Sequence, residues 1–419
     1  MSEVNLYTGT CVIIGASHSG VNCAFSLRKE GWSGRIILYD IDPALPYQRP
    51  PLSKQYLSSS DDIEKFALKA AAAYADEHIE LMLGLSVVGI DKNSKTLTLQ
   101  DGGTQTYDKL VLATGASPIA PPIRGLDCAS QVFFLRTAED VSRIRESIIA
   151  NSNPRVAIIG GGYIGLETAA SLQKLGAQVT IVEREQRVLA RVTAPPMSEF
   201  FQQLHERHGV TVLTGKNVAA VETENGVNTL YCDDDTRVPA DLIIVGVGVR
   251  VNLEIAQQAA LIVGEGGIRV DQSTVTSEPD IYAIGDCSFH FNPHYRRMLR
   301  LESVQNAVDQ AKIAAAAICG KPATYDAIPW FWSDQFDVKL QMVGLAAGHD
   351  EIHIRTEEKQ NCFSVWYFKG DELLAVDAIN NAKAYVLGTK LIKSGAKIDK
   401  AKLVDVDIDL KPDSILSNT

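Results

Sequence analysis

Two strand–turn–helix fingerprints for dinucleotides constrain this chain more than any other feature. The first is Val12-Ile13-Ile14-Gly15-Ala16-Ser17-His18-Ser19-Gly20. The second is Val156-Ala157-Ile158-Ile159-Gly160-Gly161-Gly162-Tyr163-Ile164-Gly165, about 145 residues further on. Each is an apolar run that opens into a Gly-rich turn and continues as a helical pattern. In such a unit the first glycine permits the tight turn, the second lets the backbone approach a pyrophosphate, and the third lets helix and strand pack closely. The helix start then faces the phosphates with its N–H groups and its positive dipole end. With an acidic residue at the end of each following strand, the two loops read as nucleotide sites rather than structural turns.

The two fingerprints are unequal. Gly160, Gly162 and Gly165 complete the second motif, Tyr163 and Ile164 lie inside it, and Glu183 closes the next strand. A carboxylate there bonds ribose hydroxyls and repels a 2′-phosphate, so NADH is expected over NADPH. Arg184 and Arg187 are the nearby side chains that suit such a phosphate instead. In the first motif Ser17 replaces the middle glycine, while Gly15 and Gly20 remain and Asp40 ends the following strand.

At 419 residues the chain exceeds one ordinary core. Hydrophobic content of 46% and charged content of 22% are those of a soluble globular protein. A formal net charge of −11 argues against nucleic acid, which needs a dense basic face. No secretory signal and no membrane-spanning run is expected. Cysteines at 11, 23, 128, 232, 287, 319 and 362 form no CxxC or similarly close pair, which fits a reducing cytoplasm. The same spacing removes a flavin-linked disulfide relay.

Between the fingerprints lie a Pro-rich loop (43–51), a helical stretch to about Ala75, paired strands over 87–99 and the buried run Leu110-Val111-Leu112-Ala113-Thr114-Gly115. Beyond the second fingerprint come Leu242 to Gly248, the strand Ile281 to Ile284 ending in Gly285-Asp286, and a helix from about Ser303 to Cys319. From Pro329 a hairpin around Lys369-Gly370-Asp371-Glu372 and a helix over 382–394 indicate a separate α+β domain, with a frayed polar tail at the end. The division expected is 1–118 plus 248–328, 119–247, 329–405, and a tail over 406–419. His205 and His208 have HxxH spacing, but without a third ligand they read as a surface helix face rather than a metal site. No metal site is expected.

Further segments carry a resemblance: Leu45-Pro46-Tyr47-Gln48-Arg49-Pro50-Pro51-Leu52-Ser53-Lys54, Ala113-Thr114-Gly115, Gly160 to Glu167, Arg191 to Pro196, Ile284-Gly285-Asp286-Cys287 and Pro329-Trp330-Phe331-Trp332-Ser333-Asp334-Gln335. Across nearly its whole length the chain resembles the FAD-dependent NADH:ferredoxin reductases of bacterial oxygenase systems. The resemblance implies an α/β, glutathione-reductase-like fold: two Rossmann-type nucleotide-binding domains, the FAD domain split in sequence, plus a C-terminal α+β domain.

It also implies roles. Gly15, Ser17, Ser19 and Gly20 would meet the FAD pyrophosphate, and Asp40 or Asp42 its ribose, because Ile41 falls where the family has its acid. Val87 would meet the adenine, Asp286 the ribityl chain, and Val304 would aim its N–H at the isoalloxazine. Arg49, Thr114, Gly115, Arg136 and Trp332 are further FAD contacts. Gly160, Gly162, Tyr163, Ile164, Gly165, Glu183 and Gly248 would bind NAD. Lys54 and Glu167 would pair beside the hydride-accepting nitrogen and tune the flavin. No general acid or base is needed.

The implied reaction passes a hydride from NADH to FAD and single electrons to a 2Fe–2S ferredoxin. That ferredoxin serves a haem-thiolate monooxygenase or a Rieske-type dioxygenase. The basic run Tyr295 to Arg300, with Arg296, Arg297 and Arg300, is a candidate docking site for an acidic ferredoxin, as are Lys312 and Lys339. Two other readings stay open. One is a related reductase serving rubredoxin, a nitrite reductase partner or monodehydroascorbate; the other is a redox-signalling flavoprotein similar to apoptosis-inducing factor. Oligomeric state is open.

Overall fold

The computed structural model describes residues 8–417. They form two compact units, 8–49 with 61–117 and 249–327, and 50–60 with 118–248 and 328–417. Residues 50–60, which carry Lys54, fall in the second unit with 118–248 and the segment that begins at 328.

The first unit is built on a parallel sheet. Its strands run in the order Ile281–Ala283, Lys109–Leu112, Thr10–Ile14, Arg35–Asp40, Ile79–Leu83. These strands read as continuous apolar runs because both faces are covered. Alternate residues serve opposite cores. Cys11, Ile13, Ile36, Leu38 and Val111 pack with residues of helices His18–Glu30 and Val304–Ile318. Val12, Ile14, Ile37, Tyr39, Leu110 and Leu112 pack instead with Val87, Leu97, Val251 and Ile268. Glycine in a left-handed conformation ends the first helix at Gly31 (φ 104°), where two backbone carbonyls accept its N–H.

The second unit repeats the plan. Its parallel sheet runs Thr211–Leu213, Gln178–Val182, Arg155–Ile159, Leu242–Val245, Val132–Phe134. The same unit contains an antiparallel sheet ordered Trp330–Gln335, Val338–Gly344, Glu372–Ile379, Phe363–Lys369, Glu351–Thr356. Helix Ala382–Ser394 lies on it, capped by the Asn381 side chain.

Three expectations change. The helical stretch to Ala75 is broken into short pieces, Pro50–Ser53, Gln55–Ser58, Ile63–Phe66 and Ala71–Asp76. The tail expected over 406–419 is not a tail as far as 417. Leu410 and Ile415 are buried in the C-terminal core, Pro412–Ile415 is helical, and the buried Arg355 guanidinium donates to the carbonyls of Leu403, Asp405, Val406 and Ile408. Polar composition hid this, because the segment is held by its backbone. Residues 418 and 419 lie outside the described residues. His205, expected on a surface face, is fully buried.

Candidate functional site

In the first unit, strand Thr10–Ile14 ends at Gly15, whose φ of 105° suits glycine. A methyl there would stand 2.2 Å from the Ala113 carbonyl oxygen, and one on Gly20 would stand 1.8 Å from that of Gly15. Both glycines are therefore fixed by close backbone approach. Ser17 is different: its φ of −93° is open to any residue, so the missing glycine costs the backbone nothing. Asp40 holds the loop from beneath. Its Oδ2 accepts the Ala16 N–H at 2.6 Å and its Oδ1 that of Asp42 at 2.9 Å. Asp42 accepts the Ala44 N–H and the Tyr47 hydroxyl, the latter at 2.6 Å, and Arg49 donates to Tyr47 at 2.9 Å. Ala16, Ser17, Asp40, Asp42, Tyr47 and Arg49 line one pocket with Leu83.

The distant motifs converge on this strand end. Ala113 bonds Ile14, and Thr114 is tied through both side chain and carbonyl to Asn252. Gly285 (φ 74°) comes so close to Ser19 that a methyl would lie 2.6 Å from its Oγ, which brings Gly285-Asp286 beside the first fingerprint. The Gly285 N–H is fixed by Gln310 at 2.8 Å. Ser303 caps the helix that starts at Val304 by accepting the Asn306 N–H, leaving the Val304 amide unused by the cap. Val87 is buried in the same core as Ile14 and Tyr39.

The second unit reproduces the loop with its full glycine set. A methyl on Gly160 (φ 110°) would meet the Gly246 oxygen at 2.5 Å, and one on Gly165 the Gly160 oxygen at 2.1 Å, whereas one on Gly162 meets nothing within 4 Å. That open space over the middle glycine fits a pyrophosphate. Both fingerprint helices begin without a side-chain cap, whereas Thr137, Ser303 and Asn381 cap theirs. Uncapped starts leave first-turn amides for an anion. Glu183 accepts the Gly161 N–H at 2.6 Å and the Glu185 N–H at 2.7 Å, matching Asp40 in the first unit. Arg187 is spent on its own loop, donating to Thr193 O, Ala190 O and Ser198 Oγ, while Arg184 is exposed and paired with Glu185. Gly248 accepts the Ile119 N–H.

Lys54 and Glu167 meet in this unit at 2.6 Å. Glu167 lies on helix Tyr163–Lys174 with its side chain 1% exposed. Burying a carboxylate is costly unless it is paired and bonded. Here Oε2 accepts Ser53 Oγ and Lys54 Nζ, and Oε1 accepts Ser333 Oγ, each at 2.6 Å. One turn on, Ser171 donates to the Ser53 carbonyl at 2.8 Å. Glu167 and Ser171 thus grip the 53–54 strap with one helix face, which is why that strap sits in the second unit. Ser53 and Ser333 were not singled out from sequence, although both lie in the segments that carried the resemblance. The Lys54 ammonium has three N–H groups, and within the unit it meets Glu167 and the Pro50 carbonyl.

Other predicted residues divide between the units. Arg136 and Trp332 lie in the second, where the Arg136 N–H is accepted by Asp140 and the Trp332 ring lies 5.7 Å from that of Trp330. Tyr163 packs on Phe331 at 4.8 Å and donates to Met342 Sδ, and Ile164 is exposed beside it. Of the basic candidates, Arg296 and Arg297 are exposed at a hairpin of the first unit, Arg300 pairs with Glu302, and Lys312 pairs with Asp309. Lys339 is exposed on the second. Cys287 is buried and donates toward Leu112 O and Ile284 O. All seven cysteines are free. Among the described residues there is no cluster able to hold a metal ion and no helix long and apolar enough to cross a membrane.

Residues 9–311 match the family described as pyridine nucleotide-disulphide oxidoreductase, and residues 330–413 match the one described as reductase C-terminal. The chain belongs to the pyridine nucleotide-disulphide oxidoreductase family. Putidaredoxin reductase CamA of Pseudomonas putida is 41% identical over 405 residues, covering 96% of this chain and 95% of its own. The ferredoxin reductase subunit of a 5,5′-dehydrodivanillate O-demethylase from a Sphingobium strain is 40% identical over 412 residues, covering 96% and 97%. The chain is similar to the reductase solved as the covalent putidaredoxin reductase–putidaredoxin complex, with a TM-score of 0.91 and 40% identity over 96% of this chain and 97% of that one. It is also similar to the ferredoxin reductase for the CYP199A2 system from Rhodopseudomonas palustris, with a TM-score of 0.92 and 38% identity over 97% and 99%. Membership makes the chain an oxidoreductase of FAD and NAD(P), and the two glycine cradles fit both groups. The family is named for disulfide chemistry, yet this member has no CxxC or similarly close cysteine pair in its sequence, and its seven cysteines are free.

Proposed function

We propose that this chain is an NADH:ferredoxin oxidoreductase that supplies a 2Fe–2S ferredoxin feeding an oxygenase, either a haem-thiolate monooxygenase or a Rieske-type dioxygenase. One observation carries the reading. Likeness at about 40% identity runs the full length of reductases named for such carriers, through both the nucleotide units and the C-terminal domain. The lack of a CxxC or similarly close pair in the sequence agrees, since the flavin has no such relay to feed, and seven free thiols suit a cytoplasmic protein.

When bound, FAD supplies the chemistry of taking a hydride from the nicotinamide and releasing electrons singly. The protein binds, orients and sets charge. Gly15, Ser17, Ser19 and Gly20 hold the FAD pyrophosphate. Asp40 takes the ribose, because it holds its loop as Glu183 holds the NAD loop, while Asp42 is engaged by Tyr47 beside Arg49. Val87, Thr114, Gly115, Arg136, Asp286, Val304 and Trp332 complete the FAD contacts. Lys54, held by Glu167, would offer an ammonium to the flavin and favour negative charge on it. Gly160, Gly162, Tyr163, Ile164, Gly165, Glu183 and Gly248 bind NADH. NADH is preferred over NADPH because Glu183, bonded to the Gly161 amide, would meet the ribose hydroxyls and repel a 2′-phosphate, and the Arg187 guanidinium is occupied by its loop.

The test is reduction of purified 2Fe–2S ferredoxins by NADH, with NADPH, rubredoxin and ferricyanide as comparisons. Ferredoxin turnover with NADH well above NADPH is expected. A faster NADPH reaction overturns the role given to Glu183. Turnover of rubredoxin without ferredoxin favours the second acceptor class, which two relatives named rubredoxin-NAD(+) reductase, 37% and 36% identical over 373 residues, represent.

A further inference from the structure

Strand Trp330–Gln335 turns polar side chains inward: Ser333 and Gln335 are 0% and 1% exposed, while Trp330 is 37% exposed. Buried hydroxyls and amides persist only when bonded, and the bonds of these two have a single direction. His205 Nε2 lies 2.9 Å from Gln335 Oε1, an acceptor only, so that nitrogen carries the proton. Burial holds this imidazole down to about 4, which keeps it neutral. Gln335 Nε2 donates to Ser333 Oγ at 3.1 Å, and Ser333 Oγ donates to Glu167 Oε1 at 2.6 Å. A carboxylate only accepts, so the Ser333 proton points at Glu167. The relay His205–Gln335–Ser333 delivers one oriented hydroxyl to the carboxylate that holds Lys54.

We infer that Ser333 is a positioning residue for the Lys54–Glu167 pair: by occupying Oε1 it fixes the carboxylate plane so that Oε2 meets the Lys54 ammonium, and the relay from His205 sets the direction of its proton. The inference rests on the proposed function, in which Lys54 acts on the flavin. Without the Ser333 hydroxyl, the buried Oε1 loses its donor, the carboxylate turns, and the ammonium is no longer held in one place. Ser333 touches no reacting atom in this account; it acts through Glu167.

The test is the flavin midpoint potential of the holoprotein in a double-mutant cycle of Ser333→Ala and Lys54→Met, with stopped-flow reduction by NADH alongside. Each single change is expected to move the potential to more negative values, Ser333→Ala by the smaller amount, and to slow flavin reduction, for Ser333→Ala about tenfold, as loss of a bond to a charged group does. In the Lys54→Met background Ser333→Ala is expected to add nothing. An equal shift in both backgrounds, or no shift in either, overturns the positioning role. An unchanged potential in Lys54→Met alone overturns the reading of Lys54 and this inference with it, so the two failures are distinct. If Ser333→Ala yields no holoprotein, Ser333→Cys, close in volume but a weak donor, is read by the same criteria.

Discussion

Glu183 reaches back under the second fingerprint and accepts the amide of Gly161 at 2.6 Å. Its other oxygen takes the amide of Glu185. The carboxylate proposed to read the ribose is thus fixed in the protein alone, by bonds to the loop proposed to cradle the pyrophosphate. Preorganisation of this kind cuts the ordering cost of binding.

It follows that Glu183→Ala loses both the ribose contact and the loop anchor. Charge-assisted bonds are worth about 1.5–3 kcal/mol each, so kcat/KM for NADH should fall about tenfold or more. NADPH should lose less, since a repulsion is removed along with the anchor. The ratio of the two kcat/KM values decides the matter; an unaltered ratio means that Glu183 does not read the ribose.

The unequal fingerprints make a second prediction. Gly20→Ala forces a methyl to 1.8 Å from the Gly15 oxygen, and the neighbour is backbone that cannot yield. Overpacking of this kind costs about 1–3 kcal/mol or more, so this variant should lose FAD and melt earlier. Ser17→Gly asks nothing of a backbone already at φ −93° and removes no side-chain cap. Its melting temperature should stay near that of the parent, with FAD bound at least as tightly. Equal damage from both changes would contradict the geometry.

Most of the fold was legible in the sequence because the chain repeats one physical pattern. Apolar strands ending in glycine, acids at the next strand end and a hairpin around Lys369-Gly370-Asp371-Glu372 each signal a local conformation. What escaped was tertiary. The strap at 50–60 has no composition that assigns it to the second unit; Glu167 and Ser171 do that from far along the chain. Ser333 and Gln335 sit in an aromatic strand where alternation would put polar groups outside, and only their buried partners explain the reversal. His205 has the spacing of a surface pair, yet it is buried against Gln335 and the Phe336 ring.

Arg355 makes the third prediction. It is 3% exposed and donates to four backbone carbonyls between Leu403 and Ile408, as well as to Glu357 at 2.8 Å. Arg355→Met fills much of the space but leaves the carbonyls without the guanidinium and Glu357 with the Asn381 amide in its place, at 3.2 Å. Removing one partner of a buried charged network costs about 3–5 kcal/mol. The variant should melt several degrees lower and become sensitive to trypsin at Lys402 and Lys411, while NADH oxidation with ferricyanide persists at low temperature. Resistance equal to the parent would mean that Leu410 and Ile415 alone hold the segment.

Asp377 gives a prediction in pH. It lies on strand Glu372–Ile379, 1% exposed, and accepts the Tyr367 hydroxyl at 2.5 Å; Tyr367 in turn accepts the Ala194 N–H at 3.0 Å. Burial pushes the Asp377 carboxyl up to about 7, with the Tyr367 hydroxyl pulling the other way. In an unfolded chain an aspartate titrates near about 3.9. Between these values the folded protein holds a proton that the unfolded chain has lost, so stability declines as pH rises through that window, by at most about 1.4 kcal/mol per pH unit, and levels off above it. Asp377→Asn keeps an oxygen to accept from Tyr367 and removes the titration. Its melting temperature should exceed that of the parent at pH 8, and the gap should narrow below pH 7 and close by about pH 4. Scanning calorimetry of both holoproteins across that range checks it: parallel curves would mean that Asp377 stays ionised in the fold, bonded well enough by Tyr367 to offset its burial.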